Sequence, residues 1–166
     1  MVEYAQGHAS AFGVGIKDKN FNKFIETSNE LLKDFDFSPC YRVDFIWNSQ
    51  SFNENDIVKI AELKSIWGQG IEEPLICIEN ITITKNNLTL MSRDKNPTLK
   101  IKLPNGTELI KFKSSEEEFN YLLENESGCT VIDIVGECGR NIWCGNVTPQ
   151  VIIKDFQIIK RMDYYF

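Results

Sequence analysis

Histidine is almost missing from this chain of 166 residues: His8 stands alone beside five cysteines, no two of them at Cys-x-x-Cys spacing. Zinc wants about four Cys or His ligands in tight pairs, so this spacing argues against a structural zinc site. Cys40, Cys77, Cys129, Cys138 and Cys144 are odd in number and sit in a chain long enough to build a core without staples. They read as reduced thiols. Long apolar runs are also missing. Pro74 to Ile78 and Val151 to Ile153 fall far below the roughly 18–20 residues that span a bilayer. The opening Met-Val-Glu-Tyr-Ala-Gln-Gly-His has no basic segment followed by an apolar one, so no signal peptide is read and the cytoplasm is the default expectation, with no membrane partner. Five prolines, 42% hydrophobic and 25% charged residues describe an ordinary folded chain, neither disordered nor collagen-like.

The net charge of −6 argues weakly, on its own, against a nucleic-acid binder. Its distribution argues the other way. Residues 85–114 hold seven Lys and Arg against two Asp and Glu, whereas residues 115–138 hold seven acids and no base. A locally basic stretch therefore precedes an acidic strip.

Residues 7–16 are small and glycine-rich and read as a loop running into a strand. From Asp18, an N-cap candidate, Phe21, Phe24, Ile25, Ser28, Leu31 and Leu32 recur at helical spacing as far as Lys33. Tyr41, Val43, Phe45 and Trp47 alternate as a half-buried strand, and Asn53 with Asp56 opens a short helix through Ile57, Ile60, Ala61 and Leu63. Short β-runs then follow at 75–84, 88–92, 98–103, 107–113, 129–137 and 148–159, with a helix at 115–124. Five or six strands with one helix before the last pair suit a small Greek-key barrel of the oligonucleotide-binding (OB) type, with a β-sandwich as competitor.

The clearest local signal is Leu99 to Lys113, where Asn105-Gly106 between alternating runs predicts a two-residue type I′ hairpin. Pairing Pro104 with Thr107 sets Ile101 opposite Ile110 and Leu99 opposite Phe112. Lys100, Lys102, Lys111 and Lys113 then share the other face, with Lys100 opposite Lys111. Like charges opposed across strands are destabilising by up to about 1 kcal/mol, so such a face is easier to understand with an anion on it. The competing reading is a solvated lysine face that protects against edge pairing. Around it lie Arg93 and Lys95 in the preceding turn and Arg140, Asn141 and Trp143 in a later loop, the types that track a backbone and stack on bases. Trp143, between Ile142 and Cys144, is equally readable as a core residue. Gly7-His8 reads as a turn that could also bring backbone N–H groups to a phosphate. Glu116, Glu117 and Glu118 read as the first turn of a helix rather than as metal ligands.

Three segments together carry a family resemblance. Gln6-Gly7-His8-Ala9-Ser10-Ala11-Phe12-Gly13, followed by a helix, resembles the Gly-Gly-His-Ala-x-Ala-x-Gly signature in the DHH-associated domain of DHH phosphoesterases. Leu63 to Pro74, with Trp67-Gly68-Gln69-Gly70 at its centre, resembles the Pro-Phe-Gly-x-Gly-Asn-x-x-Pro segment that precedes the OB domain in the RecJ subfamily. Val135-Gly136-Glu137, Asn141-Ile142-Trp143, Gly145, Thr148-Pro149-Gln150 and Ile153 to Phe156 are similar to the last strands of that domain. The resemblance implies an α+β chain. Residues 1–74 would be the end of a partial α/β DHH-associated subdomain and a connector, and residues 75–166 a five- to six-stranded OB-type barrel. It implies the C-terminal part of a single-strand-specific 5′ exonuclease of recombination and repair, beginning inside the DHH-associated domain. Gly7, His8 and Ser10 would contact the phosphate of the strand being cut, and the OB domain would hold single-stranded DNA. The two divalent metals of the whole enzyme, manganese or magnesium, belong to an Asp-His-His catalytic domain that this sequence does not contain, so no cofactor is expected in the chain itself.

Two other readings stand beside this one. In the first, the lysine face receives an acidic peptide, such as the tail of a single-strand-binding protein. In the second, Asp133, Glu137 and Asp155 meet as an unfamiliar metal site in a small phosphoesterase.

Overall fold

The computed structural model describes residues 2–8, 11–38, 40–92, 95–123 and 128–163. By its internal contacts the chain divides into two units, Met1–Cys40 and Tyr41–Phe166.

In the first unit, strands β1 (Val2–His8) and β2 (Ala11–Ile16) form an antiparallel hairpin, followed by a 3-10 turn at Asp18–Asn20 and helix α1 (Phe21–Leu32). The expected helix is present within a residue or two of its predicted ends. The glycine-rich piece is a hairpin rather than a loop and a strand. At Gly7 (φ +147°) a Cβ would collide with Ala11 O and Phe12, so a glycine here lets the two strands approach. None of the described residues of α1 is buried: Phe21, Ile25, Leu31 and Leu32 are exposed, and Phe24 and Ser28 half-buried.

The second unit contains β3 (Phe45–Asn48), α2 (Glu54–Glu62), a 3-10 turn at Leu63–Ile66, β4 (Leu75–Ile83), β5 (Leu88–Met91), β6 (Thr98–Lys102), β7 (Glu108–Lys111), α3 (Glu116–Leu122), β8 (Gly128–Trp143) and β9 (Asn146–Asp163). The strand order is β3-β4-β8-β9-β7-β6-β5. All pairings are antiparallel except β3 with β4 and β7 with β9. Strands β4 and β5, joined by residues 84–87, stand at opposite ends of the ladder β4-β8-β9-β7-β6-β5, and α3 and β8 separate the parallel pair in sequence. This is the Greek-key OB arrangement.

One apolar core explains why the strands close. Ile76, Ile78, Ile81 and Ile83 of β4, Leu88 and Leu90, Leu99 and Ile101, Leu109, Ile132 and Ile134, Val151 and Ile153 are buried together with Ile57 and Ala61 of α2 and Leu122 of α3. In β4 the inward phase changes between Ile78 and Ile81. A bulge there places Asn80 at φ +60°, and its N–H donates to Asp133 Oδ1 at 2.8 Å. Both helices start on side-chain caps: Asn53 Oδ1, at the start the sequence suggests, accepts from Asn55 N–H, and Ser115 Oγ accepts from Glu118 N–H, each at 3.1 Å. The strand expected from Tyr41 is confined to β3. There Trp47 stacks between Phe45 (6.0 Å) and Phe52 (5.8 Å), linking the edge strand to the approach to α2.

The last two strands are longer than their sequence suggests. The apolar pattern ends β8 near Glu137 and begins β9 at Thr148, but the strands continue to Trp143 and from Asn146. Beyond the last β4 partner, Glu137, and the first β7 partner, Gln150, the two strands pair only with each other. Residues 140–149 thus form a two-stranded arm, projecting roughly 14 Å at about 3.4 Å per residue. The turn is Cys144-Gly145, with φ +48° and +81°, the two positive values of a type I′ turn.

Candidate nucleic-acid interface

The lysine face predicted for the β6–β7 hairpin is not formed. Strand β7 is shifted by one residue from the expected pairing: Leu99 lies opposite Lys111, Lys100 opposite Ile110, Ile101 opposite Leu109 and Lys102 opposite Glu108. The reason is Pro104. A two-residue loop needs the closing residue's N–H, which proline lacks, so Leu103 N–H donates to Thr107 O instead, at 2.9 Å. The loop becomes Pro104-Asn105-Gly106, with Gly106 at φ +89°. A one-residue slip turns every β7 side chain over. Phe112 becomes exposed and Ile110 is buried on the face of Lys100, outside the central core.

Charge follows the new register. Lys100 pairs with Glu108, and Lys111 pairs with Glu118 of α3 at 2.8 Å. The negative charge that an opposed lysine pair calls for is therefore supplied twice from within the chain. Burial pushes the Glu108 carboxyl up, but hydrogen bonds from Lys100 and Gln150 and the charges of Lys100 and Lys102 outweigh it, and the group ends below its ordinary value. Lys95, Lys102 and Lys113 are exposed. Arg93 and Ser10 lie outside the described residues.

Arg140, Asn141 and Trp143 lie on the arm rather than in a loop. Arg140 pairs with Glu62 of α2 at 2.7 Å. Trp143 is 75% exposed, so the core reading is excluded, and the cross-strand register fixes its neighbours. Asn141 opposite Thr148 and Trp143 opposite Asn146 share one face; Arg140 opposite Pro149 and Ile142 opposite Val147 share the other. The sequence reading did not place Asn146 and Thr148 beside Trp143 and Asn141 because it ended β8 near Glu137 and so left out the arm. The available signal was Gly145, a turn residue between Ile142-Trp143 and Val147.

Gly7 and His8 are both exposed on β1, opposite Phe12 and Ala11. The carboxylates proposed as a metal site are engaged elsewhere. Asp133 accepts from Asn80 N–H, Glu137 pairs with Lys154 at 2.8 Å, and Asp155 accepts from Phe156 N–H at 2.9 Å. Among the described residues no group of three or more His, Cys, Asp or Glu is placed to hold a metal ion, so these residues do not fit a two-metal centre. No helix among the described residues is long and apolar enough to cross a membrane.

Residues 43–155 match the model of the RecJ OB domain. The chain belongs to the RecJ OB domain family. The match covers β3, α2, strands β4 to β8 and β9 as far as Asp155. Over 161 residues the chain is also 30% identical to the SPbeta prophage-derived YorK of Bacillus subtilis (strain 168), named as a single-strand DNA-specific exonuclease, and equally to the protein of that name from Bacillus phage SPbeta. The alignment takes in 96% of this chain and 28% of each relative, so the chain spans less than a third of their length. Two crystal structures of RecJ from Thermus thermophilus share the fold. The Mn2+ complex aligns with a TM-score of 0.61 at 15% identity, over 98% of this chain and 23% of that one; the Mg2+ complex gives 0.59 at 13%, over 98% and 24%. Those crystals contain Mn2+ and Mg2+, and among the described residues of this RecJ OB domain chain no cluster of His, Cys, Asp or Glu is placed to hold such an ion.

Proposed function

We propose that this chain is the C-terminal, nucleic-acid-binding portion of a RecJ-like single-strand-specific 5′ exonuclease acting in repair and recombination in the cytoplasm, and that it holds single-stranded DNA for a metal-dependent catalytic domain outside this chain. In this reading residues 1–74 are the end of a DHH-associated domain and its connector, with Gly7, His8 and Ser10 at the phosphate of the strand being cut. Residues 75–166 are the strand-holding OB domain. The observation that carries the reading is the RecJ OB match over residues 43–155, joined by an arm that leaves a tryptophan in solvent.

The register divides the basic residues by task. Lys100, Lys111 and Arg140 have carboxylate partners within the fold, so their main effect is on stability. Exposed Lys95, Lys102 and Lys113, with Arg93 beside them in sequence, are the groups to follow the phosphates. Charge reversal of Lys95, Lys102 and Lys113 together should weaken binding of a labelled single strand at least tenfold and flatten its dependence on salt, as read by fluorescence anisotropy. Unchanged affinity and slope would remove the basic turns from the interface.

A further inference from the structure

The arm has two chemically different faces. Arg140, Ile142, Val147 and Pro149 form one, apolar apart from an arginine already committed to Glu62. Asn141, Trp143, Asn146 and Thr148 form the other, with no charge at all. Asn141, Trp143 and Asn146 are exposed and Thr148 is half-buried.

An exposed indole bordered by two carboxamides and a hydroxyl is poorly suited to phosphate, which calls for cations. It is also poorly suited to an apolar protein surface, which would use Ile142 and Val147 behind it. It suits an unpaired nucleobase: the ring offers a stacking platform, and each amide offers both a donor and an acceptor to a base edge. The type I′ turn and the Arg140–Glu62 pair at the base of the arm hold this face in place before any ligand arrives.

We propose that Trp143, with Asn141, Asn146 and Thr148, is a base-contacting subsite for one unpaired nucleotide, separate from the groups that follow the phosphates, so that it adds affinity without adding salt dependence. The inference rests on the single-strand-binding reading above and names which part of the ligand the arm takes.

The test titrates the chain with two labelled oligonucleotides of equal length and charge, one of thymidines and one in which abasic residues replace them. The thymidine strand should bind about tenfold more tightly. Trp143→Ala should reduce thymidine binding to the abasic level with the slope of log K against log salt unchanged, and Trp143→Phe should keep most of the difference. Trp143 is exposed, so circular dichroism of Trp143→Ala should match the parent. Equal binding of the two strands, or a Trp143→Ala chain that still prefers thymidine, overturns the subsite and leaves strand binding standing. No binding of either strand by the parent chain overturns the strand-binding reading and the subsite with it.

Discussion

Cys144 is the residue whose identity fits its position least well. It occupies the first central position of a type I′ turn at φ +48°, where a side chain other than Asn, Asp or Gly crowds its own backbone. Asparagine tolerates this region, and Asn-Gly is the preferred pair for such a turn. Cys144→Asn should therefore raise the unfolding free energy by about 0.5–1 kcal/mol in urea titration, without changing the dependence on denaturant. A lower midpoint would mean that the thiol contributes something the turn geometry does not account for. At this scale the sequence was legible where a residue acts through its own backbone. The cap Asn53 was readable because it needs only the N–H group two residues ahead. Pro104 was readable in principle, since its missing N–H forbids the two-residue loop, but the Asn-Gly pair beside it is the stronger habit and pointed to the wrong register.

Between elements, one residue of slip changes what the lysines are for. With Lys100 beside Glu108, an ion pair replaces a like-charge pair. The folded-state value of Glu108 lies below the ordinary 4.5, so the unfolded chain binds protons first as the medium acidifies. The stability it contributes is fully present above the ordinary value and is lost as pH falls through the lowered folded one. In denaturation between about pH 6 and pH 3, the parent should lose stability below about pH 4.5 more steeply than Glu108→Gln, with the two curves converging at the acid end. Parallel curves would show that Glu108 titrates alike in both states. The helices, β2, β3 and the six barrel strands were visible in the sequence because apolar spacing and turn residues declare them. The bulge at Asn80 was not, since it depends on a partner far along the chain, Asp133, and the arm was not, since Gly139-Arg140-Asn141 interrupts the apolar pattern although its cross-strand partners are close in sequence.

For the whole molecule, the two units differ in how much of themselves they bury. The barrel closes a core from all six of its strands and two helices, whereas none of the described residues of α1 in the first unit is buried. In the first unit the apolar positions Phe21, Ile25, Leu31 and Leu32 of α1 are exposed. The barrel was recognisable from strand count, helix position and the motifs of the tail. The candidate interface was legible only in part: Trp143 and Asn141, singled out from the sequence, are exposed on one face of the arm, but the lysine face was drawn in a register the chain does not adopt. The most direct measurement of the central claim is anisotropy of a labelled single strand and its duplex, each titrated with the chain at low and at moderate salt. The account predicts salt-sensitive binding of the single strand well in excess of the duplex. Equal affinity for both, or no binding of the single strand at low salt, would contradict it.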